Sequence, residues 1–493
     1  MLDRAHGLRV VDLPAHATGE VSFRYRCADP RATHPRLAEA LRAAGFAEVR
    51  EDTGGGASEL RVQEAARLAP DRFDALFRAV ALLGPLAAEG PVSPAYARAF
   101  QGDGLPPYCG FAGLWRLLLA GFEIPRLGPI LDARATRDPG NTGAQLDIAT
   151  LLFLTQMPVN RGPAFACQRQ AIERQPHVVL PAQRPGTPLR MLALAAPGDL
   201  TANTPLEPLL EGSDVEVHFV FVRPDQPLPE PLPAHDLVFV AIGEAPDSRR
   251  LLEQIAPVLR RSRRTVLNRP EAVLEMSRDR VAARFRGTPG IEIPVTRRVS
   301  RTELASGPGV AFPMIVRPLD SQGGKGLERV DSAAALDAYL AGNPEDEFFV
   351  APFVDYRGAD GNYRKYRVVA IRGRLFPCHM AVSARWMVHY VNADMETNAS
   401  HRAEEAAFLA GFDEGFGRRH AAALAHIDRT LGLDYYGMDC AETEDGRLLV
   451  FEIDTAMLVH AMDPEDLYPY KKPAMRRLFA AFREMLGLAA AGG

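Results

Sequence analysis

The segment from Gly437 to Asp454 constrains the fold of this chain more than any other part of the sequence. An Asp-Gly pair near its middle separates two runs with apolar alternation, which is a strong short-range signal for a β-hairpin. If that pair forms the turn, equal steps along the two strands put Asp439 opposite Glu452. The two-residue period of a strand puts Asp454 on the same face as Glu452. The sequence therefore predicts three carboxylates close together on one face of a hairpin.

Such a set of carboxylates needs a compensating positive charge. Like charges directly opposite on paired strands repel, because their Cβ atoms lie only ~5 Å apart. Carboxylate oxygens that leave room for phosphate and water are the ligands that Mg²⁺ takes at a nucleotide. We therefore predict Asp439, Glu452 and Asp454 as metal ligands. The alternative, solvated surface acids, is disfavoured by the apolar neighbours Leu448 and Ile453, whereas a turn of odd length would shift the register and weaken the argument.

A glycine-rich segment lies upstream, between the strand-like run Phe312 to Pro318 and a second short run at Glu328 to Val330. Glycine lets backbone N–H groups turn toward an anion, and a lysine in the segment adds a point charge for phosphate. The residues concerned are Ser321, Gly323, Gly324, Lys325 and Gly326. An ordinary glycine-rich turn explains the segment equally well.

Two arginines and an apolar run complete a candidate nucleotide site. Arg317 lies on the strand that enters the glycine-rich segment, and Arg280 lies in a helix that precedes the strand at Ile293. Each arginine could hold phosphates, with a surface salt bridge as the plain alternative. The apolar run from Asp346 to Val354 could offer backbone to an adenine, although residue by residue a simple core strand explains it better.

The hairpin that follows turns at Arg372 and Gly373 and puts Lys365 and Arg367 on one face. Two neighbouring cations repel each other, so we expect an anion between them, either the transferring phosphate or a substrate carboxylate. Solvated surface charges are the alternative.

Next comes a segment with Trp386, His389 and Tyr390, which we interpret as a substrate or lid loop. A lone histidine among aromatic residues is more often packed than catalytic, so His389 is not assigned as a base.

The rest of the 493-residue chain predicts an α/β protein with three domains. Residues 1–185 are expected to form a mostly helical domain, with helices at 36–44, 70–82, 144–155 and 163–174. Residues 186–275 alternate β-like and helical runs, which favours a small parallel α/β domain. Residues 276–493 contain the hairpins described above and form the expected catalytic domain, of α+β type.

Charge, cysteine spacing and apolar runs argue against several classes of partner and site. The net charge is −5 with both signs interspersed, so nucleic acid is not expected as a partner. The five cysteines are scattered singly, which indicates neither a disulfide framework nor a zinc site. The sequence has no secretory signal pattern, and its apolar runs are far shorter than the ~20 residues of a membrane span. A cytoplasmic protein without membrane contact is the expectation.

From about Arg278 to Met485, the chain resembles the ATP-grasp superfamily. The resemblance rests on the order of five features: an Arg before the first strand, an Arg on a strand, a glycine-rich flap, an apolar hinge and a carboxylate hairpin. The α/β stretch before it is similar to a pre-grasp domain, and the whole chain to bacterial proteins with a tetratricopeptide-like N-terminal region. The resemblance implies phosphate binding by Arg280, Arg317 and the flap, and metal binding by Asp439, Glu452 and Asp454. It implies adenine and ribose contacts around Ala351, Phe353 and Asp355, with Asp360 as the other ribose candidate.

This chain departs from the superfamily pattern at several positions. Arginine replaces both usual phosphate-binding lysines, which keeps the charge and adds bidentate geometry. Asp454 stands where the pattern has asparagine, which adds charge to the metal site. Ala351 stands where an acid often contacts the adenine, which leaves that contact to the backbone.

The resemblance implies an enzyme that uses ATP and Mg²⁺, two ions, with Mn²⁺ as an alternative. The expected activity is the joining of a small-molecule or peptide carboxylate to an amine through an acyl phosphate, with Lys365 and Arg367 acting on the reacting groups. The alternatives are a kinase that phosphorylates a hydroxyl, and a scaffold that binds nucleotide without catalysis. The N-terminal region has three open roles: covering the active site, forming a homodimer or delivering substrate.

Overall fold

In the N-terminal region, the described residues form a small sheet and seven helices. The computed structural model describes residues 8–9, 20–25, 30–46, 49–52, 59–63, 70–307, 309–319, 324 and 326–492. The strands are β1 (Leu8–Arg9), β2 (Glu20–Tyr25), β3 (Val49–Asp52) and β4 (Glu59–Gln63), which pair antiparallel in the order β1-β2-β4-β3. The helices are α1 (Pro30–Ala43), α2 (Pro70–Glu89), α3 (Pro94–Arg98), α4 (Gly110–Leu119), α5 (Ile124–Arg137), α6 (Thr142–Leu154) and α7 (Pro158–Arg174).

All four predicted helices of this region are present, but the expectation of a mostly helical domain omitted the sheet. The alternation of Val21, Phe23 and Tyr25 in β2 is the period-two signal that predicts a strand, and its brevity hid it among helical segments. Helices α6 and α7 pack against each other as the predicted hairpin. The tetratricopeptide-like interpretation of this region stays a prediction.

The middle region is a five-stranded sheet with helices around it. Its strands are β5 (His177–Leu180), β6 (Leu189–Ala195), β7 (Val215–Phe221), β8 (Leu237–Val240) and β9 (Val266–Leu267), in the order β5-β7-β6-β8-β9. Its helices are α8 (Leu206–Leu209), α9 (Pro246–Leu259) and α10 (Pro270–Val273). Strands β6 to β9 are parallel, as predicted, whereas β5 pairs antiparallel with β7. The sheet thus begins before the predicted boundary at residue 185, because the short run at β5 precedes the proline-rich segment.

The C-terminal region contains two further sheets. After α11 (Arg278–Arg284), the strands are β10 (Ile291–Glu292), β11 (Arg297–Ser300), β12 (Met314–Pro318), β13 (Glu328–Val330), β14 (Glu347–Pro352), β15 (Tyr363–Ile371), β16 (Arg374–Ser383), β17 (Tyr435–Glu442) and β18 (Leu448–Asp454). The helices are α12 (Arg301–Ser306), α13 (Ala333–Gly342), α14 (Ala399–Ala410), α15 (Phe416–Arg419), α16 (Ala421–Leu431) and α17 (Lys471–Ala491), and residues Tyr390–Asn392 form a 3₁₀ turn. One sheet has the order β11-β14-β12-β13 and the other β10-β18-β17-β15-β16. The α/β fold class predicted from the sequence is confirmed.

The two faces of the larger sheet have different neighbours. One face buries Tyr366, Val368 and Met438 against α15 and α16 in a shared apolar core. On the other face, the Tyr435 ring lies 5.2 Å from the Phe482 ring of α17. The rest of that second face carries the polar site described below.

The middle region is fastened to the larger sheet by side-chain hydrogen bonds to the backbone. The Asn268 amide donates to the Tyr435 carbonyl at 2.8 Å and accepts from the amides of Asp434 and Tyr435 at 2.9 Å. The Thr204 hydroxyl donates to the Thr455 carbonyl at 2.9 Å. These bonds fix the position of the strand ends that carry Tyr435 and Asp454.

Within the described part of the chain, no helix has the length and apolar character needed to cross a lipid bilayer.

Candidate functional site

Four polar residues form one row across the larger sheet. Glu452 of β18 pairs with Asp439 of β17, Asp439 pairs with Arg367 of β15, and Arg367 pairs with His379 of β16. Residues paired in this way share a face of the sheet. The row therefore brings two carboxylates, a guanidinium and an imidazole together on the face that is not packed on α15 and α16.

Two β-bulges align this row. From the 443–447 turn outward, Cys440 pairs with Val450, but Asp439 pairs with Glu452, so Phe451 is an extra residue. At the same level of the sheet, Cys378 is an extra residue in β16, between the partners of Arg367 and Val368. Bulges of this kind often re-aim side chains beside active sites.

The predicted pairing of Asp439 with Glu452 is correct, although the predicted turn is not. The turn is one residue longer than an Asp-Gly pair alone, since the Thr443 amide donates to the Arg447 carbonyl at 3.0 Å. This odd turn shifts the register by one residue, and the bulge at Phe451 shifts it back. The second predicted turn, at Arg372 and Gly373, is confirmed.

Asp439 is the anion that the two neighbouring cations hold. Lys365 Nζ donates to Asp439 Oδ2 at 3.0 Å, and Arg367 donates from Nε to Oδ1 at 2.7 Å and from Nη2 to Oδ2 at 3.0 Å. Asp439 is 4% exposed. Although burial opposes its charge, Arg367 and Lys365 hold the pKa of the Asp439 carboxyl far below its usual range. The face shared by Lys365 and Arg367 is as predicted, and a protein carboxylate lies between them.

Glu452 is held by Arg278, and Arg280 lies elsewhere. Arg278 Nη2 donates to Glu452 Oε1. Arg280 instead donates to Glu275 Oε1 at 2.7 Å on the surface, so the structure does not bring it to Glu452, and its phosphate-binding role stays a prediction. Burial, followed by the charge of Arg278, lowers the pKa of Arg317 to about 10, and Glu452 opposes that shift. Arg317 therefore lies within electrostatic reach of the pair.

Asp454 is the third carboxylate of the prediction, and it lies beyond Glu452 on the same strand. Its Oδ1 accepts from the Ala456 amide at 2.9 Å. Burial and then the charge of Glu452 raise the pKa of the Asp454 carboxyl. Among the described residues, no three His, Cys, Asp or Glu side chains are grouped closely enough to hold a metal ion. The described residues thus do not group all three carboxylates around one point, since Lys365 and Arg367 hold Asp439, and the metal-binding roles stay predictions.

The donor chemistry fits a divalent cation at Glu452 and Asp454 but not at Asp439. Both oxygens of Asp439 already accept from Lys365 or Arg367. Glu452 and Asp454 share a strand face, and their mutual repulsion is what a cation would relieve. Two carboxylates together with phosphate oxygens and water match the ligands that Mg²⁺ takes.

The flap is described only in part. Ser321, Gly323 and Lys325 lie outside the described residues. Gly324 and Gly326 have positive φ values of 78° and 65°, which favour glycine. At Gly326 a Cβ atom would lie 2.7 Å from Pro318 Cδ, so this turn requires glycine where it returns to β13.

The expected adenine and ribose contacts already have protein partners. The Phe353 amide donates to the Pro313 carbonyl at 3.0 Å, and Ala351 pairs with Ile315 inside the smaller sheet. Asp355 accepts from Arg357 Nη2 at 3.1 Å. The other ribose candidate, Asp360, accepts from Arg364 Nη2 at 2.8 Å. Their roles at a nucleotide stay predictions.

The sequence interpretation missed Arg278 and His379. In α11, Val281 and Ala282 are buried, and residues three and four positions before them lie on the same face. That spacing selects Arg278 and excludes Arg280. His379 lies opposite Arg367 only because of the bulge at Cys378, for which the sequence gives no clear signal. Burial holds the pKa of His379 well below its usual range, so the ring is uncharged beside Arg367.

A buried polar cluster anchors the loop that carries Trp386 and Tyr390. Lys471 Nζ donates to the Tyr390 hydroxyl at 2.6 Å and lies 3.5 Å from Glu405 Oε1. Glu405 Oε2 accepts from the hydroxyls of Tyr390 at 3.0 Å and Tyr470 at 2.7 Å. The Tyr390 ring lies 5.1 Å from the His379 ring. The cluster thereby ties the loop to α14, α17 and the polar row.

Comparison with known proteins finds similarity only among solved structures. No protein-family profile and no curated protein match the sequence. The solved structures that match include ATP-grasp proteins. A RimK domain ATP-grasp protein from Sphaerobacter thermophilus is 17% identical, covers 61% of this chain and 98% of its own length, and gives a TM-score of 0.34.

Two ligases are among the other ATP-grasp matches. VanG D-Ala:D-Ser ligase from Enterococcus faecalis is 12% identical, covers 61% of this chain and 99% of its own, and has a TM-score of 0.38. D-alanyl-alanine synthetase A from Vibrio cholerae is 11% identical, covers 62% of this chain and 100% of its own, and has a TM-score of 0.40. At these identities and TM-scores, the activity has to be argued from the residues of this chain.

Proposed function

We propose that the polar row binds Mg-ATP and activates a carboxylate as an acyl phosphate, which an amine then converts to an amide. The observation that carries the proposal is the charge arrangement on one sheet face. Arg278, Arg317, Lys365 and Arg367 surround the carboxylates of Asp439, Glu452 and Asp454. Four cations against three carboxylates leave net positive charge for an anionic ligand.

The cations have separate roles in this proposal. Arg278 is held by Glu452 among the residues that the structure describes, and in this proposal it turns its guanidinium to phosphate oxygens, together with Arg317. Arg367 is fixed by Asp439 and by the Leu458 carbonyl, to which Nη1 donates at 3.0 Å. Lys365 uses one proton on Asp439 and has two more for an anion. A fixed Arg367 and a partly available Lys365 suit a reacting carboxylate or oxyanion.

The reaction balances without a protein nucleophile. A substrate carboxylate oxygen attacks the γ-phosphorus of ATP, the bond to the bridging oxygen breaks, and ADP leaves. The amine then attacks the acyl carbon, phosphate leaves with its oxygen, and the amine loses a proton as the amide forms. Arg278 and Arg317 would neutralise charge on the transferring phosphoryl group, and Arg367 would stabilise the tetrahedral oxyanion.

Glu452 and Asp454 would hold the divalent cation. Such an ion shields the charge of the β and γ phosphates and orients them for in-line transfer. In its presence Arg278 would exchange Glu452 for phosphate.

Turnover of an unidentified substrate tests the activity directly. We would incubate the purified chain with Mg-ATP and a small-molecule extract of the source cells, and follow ADP, AMP and phosphate. The proposal expects extract-dependent ADP and phosphate in equal amounts. Glu452→Gln is expected to lose at least about a hundredfold in rate, since it removes charge from the transfer site.

Glu444→Gln is the matched control, because Glu444 is an exposed residue in the turn of the same hairpin. Its rate is expected to equal that of the unaltered chain. ADP without released phosphate would replace the ligase by a kinase. AMP would exclude the acyl-phosphate route, and nucleotide binding without turnover would favour a scaffold.

A further inference from the structure

A cavity of about 590 Å³ lies beside the polar row and is lined by three arginines. Arg329 comes from β13, Arg357 from the segment between β14 and β15, and Arg385 from the segment after β16. Tyr363 and Trp386 supply aromatic walls, and Glu328 is the acidic residue of the lining. This volume suits a small organic molecule or a short peptide.

Aromatic rings orient two of the arginines. The Arg329 guanidinium lies 4.3 Å from the centre of the Phe353 ring. The Arg357 guanidinium lies 5.4 Å from the centre of the Tyr363 ring, and its Nε donates to the Tyr363 hydroxyl at 3.1 Å. A stacked guanidinium keeps its edge available for bidentate contact with a carboxylate.

The acids that pair with these arginines are exposed. Arg329 Nε lies 2.8 Å from Asp331 Oδ1, and Arg357 Nη2 lies 3.1 Å from Asp355 Oδ2. The two aspartate side chains are 63% and 51% exposed. Exposed pairs of this kind contribute little, so a ligand carboxylate inside the cavity can replace them. Arg385 is exposed at the cavity as well.

The cavity is connected to the polar row through packed aromatic residues. The Trp386 carbonyl accepts from the Tyr356 hydroxyl at 2.5 Å, and the Tyr356 ring lies 5.0 Å from the Phe451 ring. Phe451 is the extra residue of the bulge that sets Glu452 in place. A Cβ atom on Gly324 of the flap would lie 3.9 Å from Met387 Sδ, in the cavity wall.

We propose that this cavity binds the acidic portion of one substrate, a molecule that carries a carboxylate and an aromatic or flat apolar group. The arginines would pair with the carboxylate, and Tyr363 and Trp386 would pack against the apolar group. The assignment rests on the proposed ligase, because it gives one of the two joined molecules a place beside the row. The carboxylate bound here is not the one that reacts.

Trp386 provides a reporter inside the cavity. The chain has two tryptophans, so Trp115→Phe leaves Trp386 as the single source of tryptophan fluorescence. We would titrate this variant with glutamyl-phenylalanine and, as a basic probe that carries no carboxylate, with lysyl-phenylalanine amide. The proposal expects a saturable change with the acidic dipeptide and about tenfold weaker binding of the basic one. Calorimetry on the unaltered chain repeats the comparison without the Trp115 substitution.

Arg385→Gln is expected to weaken the binding of glutamyl-phenylalanine about tenfold, because one charge-assisted contact is lost. Arg374→Gln is the matched control, since Arg374 is exposed and pairs with Glu484 far from the lining. Equal affinity for the two dipeptides, or no binding of either, would overturn the assignment. A non-hydrolysable ATP analogue could displace the dipeptide and also bind more weakly to Arg385→Gln. That result would mean that the cavity binds the nucleotide, and it would overturn the assignment. Intact dipeptide binding without turnover would count against the ligase and leave the cavity assignment in place.

Discussion

At the scale of single residues, the three carboxylates of the site lie in three different environments. Asp439 is held by Lys365 and Arg367, and Glu452 is held by Arg278. Asp454 accepts from the Ala456 amide, and burial together with the charge of Glu452 raises the pKa of its carboxyl to about 6. The pKa values of the Asp439 and Asp454 carboxyls are therefore shifted in opposite directions.

Asp454→Asn is expected to stabilise the metal-free protein above neutral pH. The pKa of Asp454 is raised in the folded state, so its favourable contribution is present at low pH and is lost as pH rises through the folded pKa. Removing the charge removes that loss, which is on the order of 3 kcal/mol at pH 8, because the pKa rises from 3.8 to about 6 and each unit corresponds to about 1.4 kcal/mol. Thermal unfolding of the variant and of the unaltered chain, in chelator at pH 5 and at pH 8, measures the difference in stability between them.

The control for this substitution is Asp445→Asn in the exposed turn. Hydrogen bonds from Thr443 and Arg447 lower the pKa of Asp445, so the sign of its pH dependence is opposite. It should not gain stability at pH 8. If Asp454→Asn increased the free energy of unfolding equally at pH 5 and at pH 8, the explanation by charge would be contradicted.

At the scale of strands, the site depends on register rather than on any loop. Two bulges at one level of the larger sheet bring Glu452, Asp439, Arg367 and His379 into a row. Alternation and turn residues predicted both hairpins and the pairing of Asp439 with Glu452. They could not predict the bulges, because an extra residue in a strand leaves the apolar pattern nearly unchanged and is decided by packing, such as that of Phe451 on Tyr356.

Asp439→Asn is expected to destabilise the chain by about 3 to 5 kcal/mol, since it leaves Lys365 and Arg367 without their buried partner. Chemical denaturation monitored by circular dichroism measures the loss. Replacing Arg367 by Met in the same chain should recover part of it. A loss below about 1 kcal/mol, comparable to a surface ion pair, would mean that the cations find solvent or another anion instead.

At the scale of the whole molecule, the N-terminal helices contact both other regions. Arg116 of α4 forms a two-bond ion pair with Glu211 of the middle region, with side chains 11% and 15% exposed. The neighbouring Trp115 ring lies 5.0 Å from the ring of His460, six residues beyond Asp454. These contacts favour a role of the N-terminal region in supporting the segment next to the site.

Arg116→Gln tests that support. Loss of a partly buried, charge-assisted pair is expected to cost about 1.5 to 3 kcal/mol. Hydrogen exchange measured by mass spectrometry should show faster exchange in α4 and in residues 206–213. Arg126→Gln is the control, because Arg126 is about half exposed and pairs with Asp74 inside the N-terminal region. Equal exchange in the two variants would contradict a supporting interface.

The sequence predicted most of the helices and the parallel strands of the middle region but not the contacts between regions. The parallel strands β6 to β9 are apolar runs bounded by turns, which is a local signal. The antiparallel edge strand β5 and the N-terminal sheet depend on partners distant in sequence, which local patterns do not contain. The ion pair of Arg116 with Glu211 likewise joins residues distant in sequence, so local patterns do not predict it.

The central claim is that Arg278, Glu452 and Asp454 form the phosphate and metal end of a nucleotide site. Calorimetric titration of a non-hydrolysable Mg-ATP analogue into Arg278→Gln and Arg280→Gln tests it most directly, since the two arginines are two positions apart on one helix and only Arg278 contacts Glu452. We predict about tenfold or greater weakening in Arg278→Gln and no change in Arg280→Gln. Equal affinities, or weakening only in Arg280→Gln, would contradict the account.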